Sequence, residues 1–69
     1  MTTLNVNGRS VDVPPGASVL DLVKQVEPER WERGVAVAVN GEVVPKTVWQ
    51  DTQLSESDRV EVLAAIGGG

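Results

Sequence analysis

Residues 4–13 are LNVNGRSVDV, and this stretch predicts the first two strands of the fold. Leucine and valine alternate with polar residues on both sides of Asn7-Gly8. This alternation is typical of half-buried strands, and Asn-Gly is the strongest short signal for a hairpin turn because both turn positions need positive φ. Pro14 then ends the second strand, since proline cannot donate a hydrogen bond to a neighbouring strand. The sequence therefore predicts an N-terminal β-hairpin.

A helix is predicted directly after the hairpin. Ser18 is placed to cap the helix, and Asp21 resembles its reciprocal partner in a capping box. Pro28 ends the helix near Glu27, because the residue before a proline is disfavoured in helical conformation. Apolar residues recur between these signals at spacings of three and four, which puts them on one helical face: Val19, Leu22, Val23 and Val26.

Two more strands are predicted after a charged loop at 29–33. Valine alternates with alanine from Val35 to Val39, and Asn40-Gly41 closes this third strand. Val43-Val44 form a short fourth strand, which Pro45 ends. Proline is tolerated at sheet edges, so we expect the fourth strand to lie at an edge.

The last strand is predicted after a long connection. Residues 46–58 are largely polar, and we expect the large side chains of Trp49 and Leu54 to hold this segment against the core. In a chain with only two aromatic residues, Trp31 and Trp49 are more often core residues than partner anchors. Val60 and Val62 then alternate with charged residues in a strand that runs to Ile66.

This order of elements predicts an α+β fold, with a mixed sheet of four to five strands packed on one helix. If the first and last strands are both central, they run parallel, and the right-handed crossover rule places the helix across one face. That arrangement is the ubiquitin-like β-grasp. We expect residues 1–66 to form a single β-grasp domain and residues 67–69 to form a flexible C-terminal glycine tail.

Composition excludes several classes of function. The chain contains no cysteine and no histidine, which rules out disulfides, thiolate or imidazole metal sites, and catalysis by those groups. Its carboxylates lack the spacing of a ligand cage, so we expect no metal site. A net charge of −4 argues against nucleic acid as a partner. The sequence shows no apolar segment long enough for a membrane and no signal peptide, so we expect a cytoplasmic protein.

Strand alternation also predicts an outward-facing apolar surface. If Val60 and Val62 face the core, Glu61, Leu63 and Ala65 face outward. The outward positions of the third strand are alanines, which either let a partner approach closely or merely suit a strand. The predicted surface leads to the C-terminal glycines and consists of Ala36, Ala38, Leu63 and Ala65.

The chain resembles the ThiS family, the sulfur carriers of thiamine biosynthesis. The resemblance covers essentially the whole chain and lies in VAVNGEVVP at 37–45, Trp49, DRVEV at 58–62 and AIGGG at 65–69. It implies that a dedicated ThiF-like activating enzyme adenylates the C-terminal carboxylate with ATP and Mg²⁺. A sulfur donor such as a cysteine desulfurase then allows conversion to a thiocarboxylate, which delivers sulfur to thiazole synthase.

In that scheme the chain is a carrier and co-substrate rather than an enzyme, and it binds no cofactor itself. The carboxylate of Gly69 is the reacting group if no terminal residue is trimmed first. The residues expected to contact partners are Ala36, Ala38, Leu63, Ala65, Ile66, Gly67 and Gly68. Glycine suits a tail that enters a narrow channel, because it lacks Cβ and lets partner backbone approach closely. Two departures from the family are Ser57, where glycine is common, and a third terminal glycine.

Other functions fit the same pattern. The chain could carry sulfur for another pathway, as the small subunit of molybdopterin synthase or as a carrier in amino-acid biosynthesis. It could be a ubiquitin-like tag whose terminus forms an isopeptide bond with lysine. It could also be a β-grasp interaction module with an inert tail. The segment VVPKTVW at 43–49 favours the thiamine pathway.

Overall fold

The computed structural model describes residues 1–64. The five strands of this range form one sheet in the spatial order β2-β1-β5-β3-β4, in which β1 and β5 are parallel and the other neighbours are antiparallel. This mixed sheet, with α1 packed on it, is a ubiquitin-like β-grasp, as predicted. The elements are β1 (Thr2–Val6), β2 (Arg9–Val13), α1 (Val19–Val26), β3 (Val35–Val39), β4 (Glu42–Val43), a 3₁₀ helix (Lys46–Asp51) and β5 (Arg59–Ala64).

Both hairpins turn at Asn-Gly pairs, which confirms the predicted turns. Asn7 and Gly8 have φ of 51° and 84°, and Asn40 and Gly41 have φ of 50° and 87°. These positive values are the conformation for which Asn-Gly is selected in two-residue turns. The turns fix the register of each hairpin, with Val6 opposite Arg9 in the first.

The predicted capping box of α1 is present. The Ser18 hydroxyl accepts a hydrogen bond from the Asp21 amide at 3.2 Å, and the Asp21 carboxylate accepts one from the Ser18 amide at 3.0 Å. The helix ends at Val26, and its predicted apolar face lies in the core, with Leu22 fully buried. One face of the sheet is therefore covered by α1 and the other remains open.

The two tryptophans have different environments. Trp49 is 2% exposed, and its Nε1 donates a hydrogen bond to the Val44 carbonyl at 2.8 Å, which confirms its predicted place in the core. Trp31 is only half-buried and packs against the edge of the core. The Lys24 ammonium lies 4.6 Å from the centroid of the Trp31 ring, a cation–π geometry.

Two parts of the predicted secondary structure differ from the structure. The strand β4 comprises Glu42–Val43 rather than Val43-Val44, because the two-residue turn places Glu42 opposite Val39. The connection begins with the 3₁₀ helix, whose first bond runs from the Val48 amide to the Pro45 carbonyl at 3.0 Å. A helix this short has too few turns to produce an apolar periodicity in the sequence.

The end predicted for the last strand, Ala65 and Ile66, lies outside the described residues, as do Gly67, Gly68 and Gly69. Within residues 1–64, no helix has both the length and the apolar character needed to cross a membrane.

Candidate partner-binding surface at the end of β5

The side chains of β5 alternate between the core and the open face of the sheet. Val60 and Val62 are buried beneath α1, with 0% and 5% of their surface exposed. Glu61 is exposed, and Leu63 is exposed to 67%. Leu63 therefore projects from the open face, one residue before the last described position of the strand.

Small apolar residues of the neighbouring strands surround Leu63. Ala36 of β3 lies directly opposite Leu63, and Ala38 lies opposite Glu61. On the other side of β3, Val43 of β4 lies opposite Ala38 and is 77% exposed. Directly opposed residues of adjacent strands share a face of the sheet. These contacts define the apolar patch, which consists of Ala36, Ala38, Val43 and Leu63.

Two shallow grooves meet at the side chain of Leu63. The first, of about 140 Å³, lies towards β4 and has Ala38, Val43 and Glu61 in its walls. The second, of about 410 Å³, lies towards the end of the sheet and has Gly34 and Ala64 in its walls. Ala36 and Leu63 line both grooves. The patch thus offers apolar contact on either side of a protruding leucine, beside the point where the chain continues to its C-terminus.

Val43 is the member of the apolar patch that the sequence interpretation missed, because it treated Val43-Val44 simply as an edge strand. The signal was available in the second Asn-Gly turn. A two-residue turn at Asn40-Gly41 sets Val39 opposite Glu42 and Ala38 opposite Val43, so Val43 must share the face of Ala38.

The other half of the open face is polar. Outward positions of β1 and β2 carry Thr3, Asn5, Ser10 and Asp12, and the Thr3 hydroxyl donates to the Asp12 carboxylate at 2.8 Å. The apolar character is therefore confined to β3, β4 and the end of β5. The open face is therefore divided into a polar half and an apolar half.

Two carboxylates near β5 have different roles, Asp58 before the strand and Glu61 within it. Asp58 closes the turn before β5, because its two oxygens accept hydrogen bonds from the Ser55 amide at 2.8 Å and the Asn40 side-chain amide at 3.1 Å. Glu61 is exposed and forms a wall of the first groove. Glu61 is thus the acidic group available to a partner beside the patch.

The strand β5 is held on both edges by asparagine side chains. The Asn7 amide pairs with the Val62 backbone through two hydrogen bonds of 2.9 Å, and the Arg59 amide donates to the Asn40 side chain at 2.9 Å. Sequence reasoning assigned Asn7 and Asn40 only to turns and missed these contacts. Their effect is to fix the strand that carries Leu63.

Of the predicted site residues, the structure brings Ala36, Ala38 and Leu63 together. Ala65, Ile66 and the glycines that end in Gly69 lie outside the described residues, so their contacts remain predictions. Among residues 1–64 there is no group of three or more His, Cys, Asp or Glu side chains arranged to hold a metal ion.

Comparison with known proteins identifies relatives along the full length. The model of the ThiS family matches residues 3–69. A crystal structure of a thiamine biosynthesis protein (ThiS) from Geobacter metallireducens is 31% identical, covering 99% of this chain and 100% of that chain, with a TM-score of 0.78. A solution NMR structure of a thiamine biosynthesis protein from the same organism is also 31% identical, covering 99% and 88%, with a TM-score of 0.79. No protein with a curated function matches significantly. The chain belongs to the ThiS family.

Proposed function

We propose that the chain is a sulfur carrier of thiamine biosynthesis, in which the Gly69 carboxylate is adenylated, converted to a thiocarboxylate and used as the sulfur source for thiazole formation. The observation that carries the proposal is the family match, which runs from residue 3 through the terminal glycines. The apolar patch supports it, because a surface for partners lies beside the strand that leads to those glycines.

The first step suits a free main-chain carboxylate. An α-carboxyl group has an ordinary pKa of about 3.3–3.7, so at neutral pH it is ionised without help from a neighbouring base. One carboxylate oxygen attacks the α-phosphorus of ATP, the bond from that phosphorus to pyrophosphate breaks, and an acyl adenylate results. Pyrophosphate carries away the displaced electron pair.

The second step exchanges oxygen for sulfur. A sulfide equivalent attacks the carbonyl carbon of the acyl adenylate, and AMP leaves with one of the original carboxylate oxygens. The product is a thiocarboxylate with one oxygen and one sulfur. We propose that thiazole synthase then accepts this sulfur, so the chain serves as a co-substrate for other enzymes.

Catalysis in this scheme belongs to the partner. Phosphoryl and acyl transfer need Mg²⁺ and cationic groups around the phosphates. The chain has no glycine-rich loop followed by Lys-Ser or Lys-Thr that would hold a triphosphate. An ATP-dependent, ThiF-like activating enzyme would supply these groups, while residues 67–69 would enter its channel.

The apolar patch would hold the body of the carrier against that enzyme. Leu63 and Val43 expose most of their side chains, and contact with a partner would remove this apolar surface from water. Ala36 and Ala38 lie between them and are small enough for partner backbone to come close. Docking on the patch would therefore present the tail while leaving it free to react.

A truncation tests the proposal. The full chain and a variant lacking Gly68 and Gly69 are each incubated with the cognate activating enzyme, ATP and Mg²⁺, and pyrophosphate release is followed. We expect release with the full chain and none above background with the truncated one. A Gly69→Ala variant keeps the chain length and the carboxylate and adds only a Cβ, so it separates the effect of tail length from the effect of a side chain at the terminus. Equal release from the full and truncated chains would refute the proposal.

A further inference from the structure

Charge is distributed unevenly along the long direction of β5. The end at which β5 leads towards the C-terminus carries five cationic side chains, which we call the basic end: Arg9, Lys24, Arg30, Arg33 and Lys46. Only three acidic side chains lie with them, namely Glu27, Glu29 and Glu32. The rest of residues 1–64 has Arg59 against seven carboxylates: Asp12, Asp21, Glu42, Asp51, Glu56, Asp58 and Glu61. A protein of net charge −4 therefore has one locally positive end.

The contacts of these residues place them around the end of β5. Arg9 lines a groove with Val62 of β5 and with Glu27 at the end of α1. On the other side, Arg33 precedes Gly34, which lines a groove with Ala64. The two arginines thus lie on opposite sides of the strand as it leaves the sheet.

Two other members of the basic end are engaged in local structure. Lys24 belongs to the last turn of α1, where a cation interacts favourably with the helix dipole. Its ammonium group also lies above the Trp31 ring. Lys46 donates a hydrogen bond to the Glu32 carbonyl. These contacts help to explain why lysine occurs at both positions.

No local contact of this kind explains why arginine occurs at positions 9 and 33. Both are exposed, and within residues 1–64 neither guanidinium makes a hydrogen bond or an ion pair. An exposed, unpaired charge contributes little to folding, yet it contributes fully to the electrostatic potential around the molecule. Their positions beside the exit of the chain therefore indicate a role in association.

We infer that the basic end docks on an acidic rim, built from Asp and Glu side chains, around the tail channel of the activating enzyme. This inference rests on the proposed function. The apolar patch lies next to the basic end through Ala36 and Leu63, so both surfaces would meet the same partner. The partner would accordingly present an apolar area bordered by carboxylates.

The length of the C-terminal tail separates a role of Arg9 and Arg33 in docking from a role in the reaction with ATP. Five residues follow Ala64, and an extended chain spans at most about 3.6 Å per residue, or about 18 Å in total. The Debye length at physiological ionic strength is about 8 Å. A carboxylate at full reach is thus about two Debye lengths from the end of β5, so the arginines would act on the rim rather than on bound ATP.

The charge asymmetry would orient the carrier during encounter. A uniformly acidic molecule would be repelled by an acidic rim in every orientation, whereas this molecule would approach with the tail end foremost. Electrostatic steering acts mainly on association rates and weakens with added salt. The expected signature is therefore a salt-dependent change in KM with little change in kcat.

Charge reversals at the two ends test the inference. Arg9→Glu and Arg33→Glu reverse the charge beside the exit, and Arg59→Glu makes the same change at the opposite end of β5. Activation by the cognate enzyme is measured as KM and kcat for the carrier at low and high NaCl. At low salt we expect the first two variants to raise KM roughly three- to tenfold, with kcat preserved and the difference reduced by salt. Arg59→Glu is expected to stay within about twofold of the parent.

The outcomes separate the two proposals. If the parent is activated but Arg9→Glu and Arg33→Glu leave KM unchanged or lower it, or if Arg59→Glu raises it equally, the inference about the basic end is wrong and the proposed function stands. If the parent itself is not activated by a competent enzyme, both are wrong. Circular dichroism of each variant verifies that the fold is retained.

Discussion

Asn7 and Val62 pair through two hydrogen bonds of 2.9 Å, in which the Asn7 side chain both donates to the Val62 carbonyl and accepts from the Val62 amide. The strand β1 ends at Val6 and the chain turns at Asn7-Gly8. The Asn7 side chain therefore makes the two hydrogen bonds to β5 that the backbone of a longer β1 would otherwise make. The parallel pairing of β1 with β5 is thereby extended to within two residues of Ala64. On the other edge, β3 pairs with β5 as far as Ala64 itself.

Replacing Asn7 by glycine removes this pairing while preserving the turn, because glycine tolerates the positive φ of 51°. We expect Asn7→Gly to lose about 1–3 kcal/mol of unfolding free energy, since the Val62 amide and carbonyl lose their partners. Chemical denaturation measures the loss. Amide exchange provides an internal control, because Val62 should exchange faster while Leu63, which pairs with β3, changes less. Unchanged protection of Val62 would contradict the role assigned to Asn7.

The turn before β5 contains a strained serine. Ser57 has φ of 69°, a left-handed conformation that favours glycine, and its amide donates to the Thr3 carbonyl at 2.8 Å. We expect Ser57→Gly to raise the unfolding free energy by about 0.5–1 kcal/mol, since relief of strain exceeds the added flexibility of the unfolded chain. Ser55→Gly is the control, because Ser55 has no positive φ, and it should be destabilising. A loss of stability in Ser57→Gly comparable to that in Ser55→Gly would show that no strain is stored at Ser57.

Trp49 links the 3₁₀ helix to the core. Trp49→Phe removes the hydrogen bond to the Val44 carbonyl and leaves space in a fully packed site. We expect a loss of about 2–4 kcal/mol in unfolding free energy, measured by urea titration followed by circular dichroism. Trp31→Phe, at a half-buried position, should cost clearly less. Equal losses of unfolding free energy for the two variants would contradict the assignment of Trp49, rather than Trp31, to the core.

Leu63 tests the apolar patch as a docking surface. Leu63→Glu places a charge on an exposed position, so we expect the fold and thermal stability to be preserved. Activation by the cognate enzyme should fall roughly tenfold or more in kcat/KM, because burial of a leucine side chain is worth about 1.5–3 kcal/mol. Val48→Glu is the matched control, as Val48 is an exposed valine of the 3₁₀ helix away from the patch. If the enzyme activated Leu63→Glu as efficiently as the parent, the apolar patch would not be part of the interface.

Much of the fold could be predicted because its signals are local. The turn at Asn7-Gly8, the capping box of Ser18 with Asp21 and the apolar period of α1 each involve a few neighbouring residues, and all three are present. The parallel orientation of β1 and β5 followed from chain topology once both strands were taken to be central in the sheet. Family resemblance pointed to the same fold, and the family match agrees with it.

The remainder depends on contacts between distant residues. The pairing of Asn7 with Val62 joins positions 55 residues apart, and no local pattern encodes it. The position of the 3₁₀ helix depends on Trp49, whose side chain is buried in a core made of residues from the whole described range. The basic end likewise emerges only when Arg9 and Arg33 are brought to the same end of β5. The composition shows only that the protein is acidic overall, and it contains no information on how charge is distributed between the two ends of β5.

The most direct measurement of the central proposal is the intact mass of the chain after incubation with ATP, Mg²⁺, the cognate activating enzyme and a sulfur donor. We expect the replacement of one oxygen by one sulfur, located at Gly69 by fragmentation and absent when ATP is omitted. An unchanged mass with enzymes shown to be active, or adducts of the chain on lysines of other proteins in place of the sulfur-containing product, would contradict the assignment of this chain as a sulfur carrier.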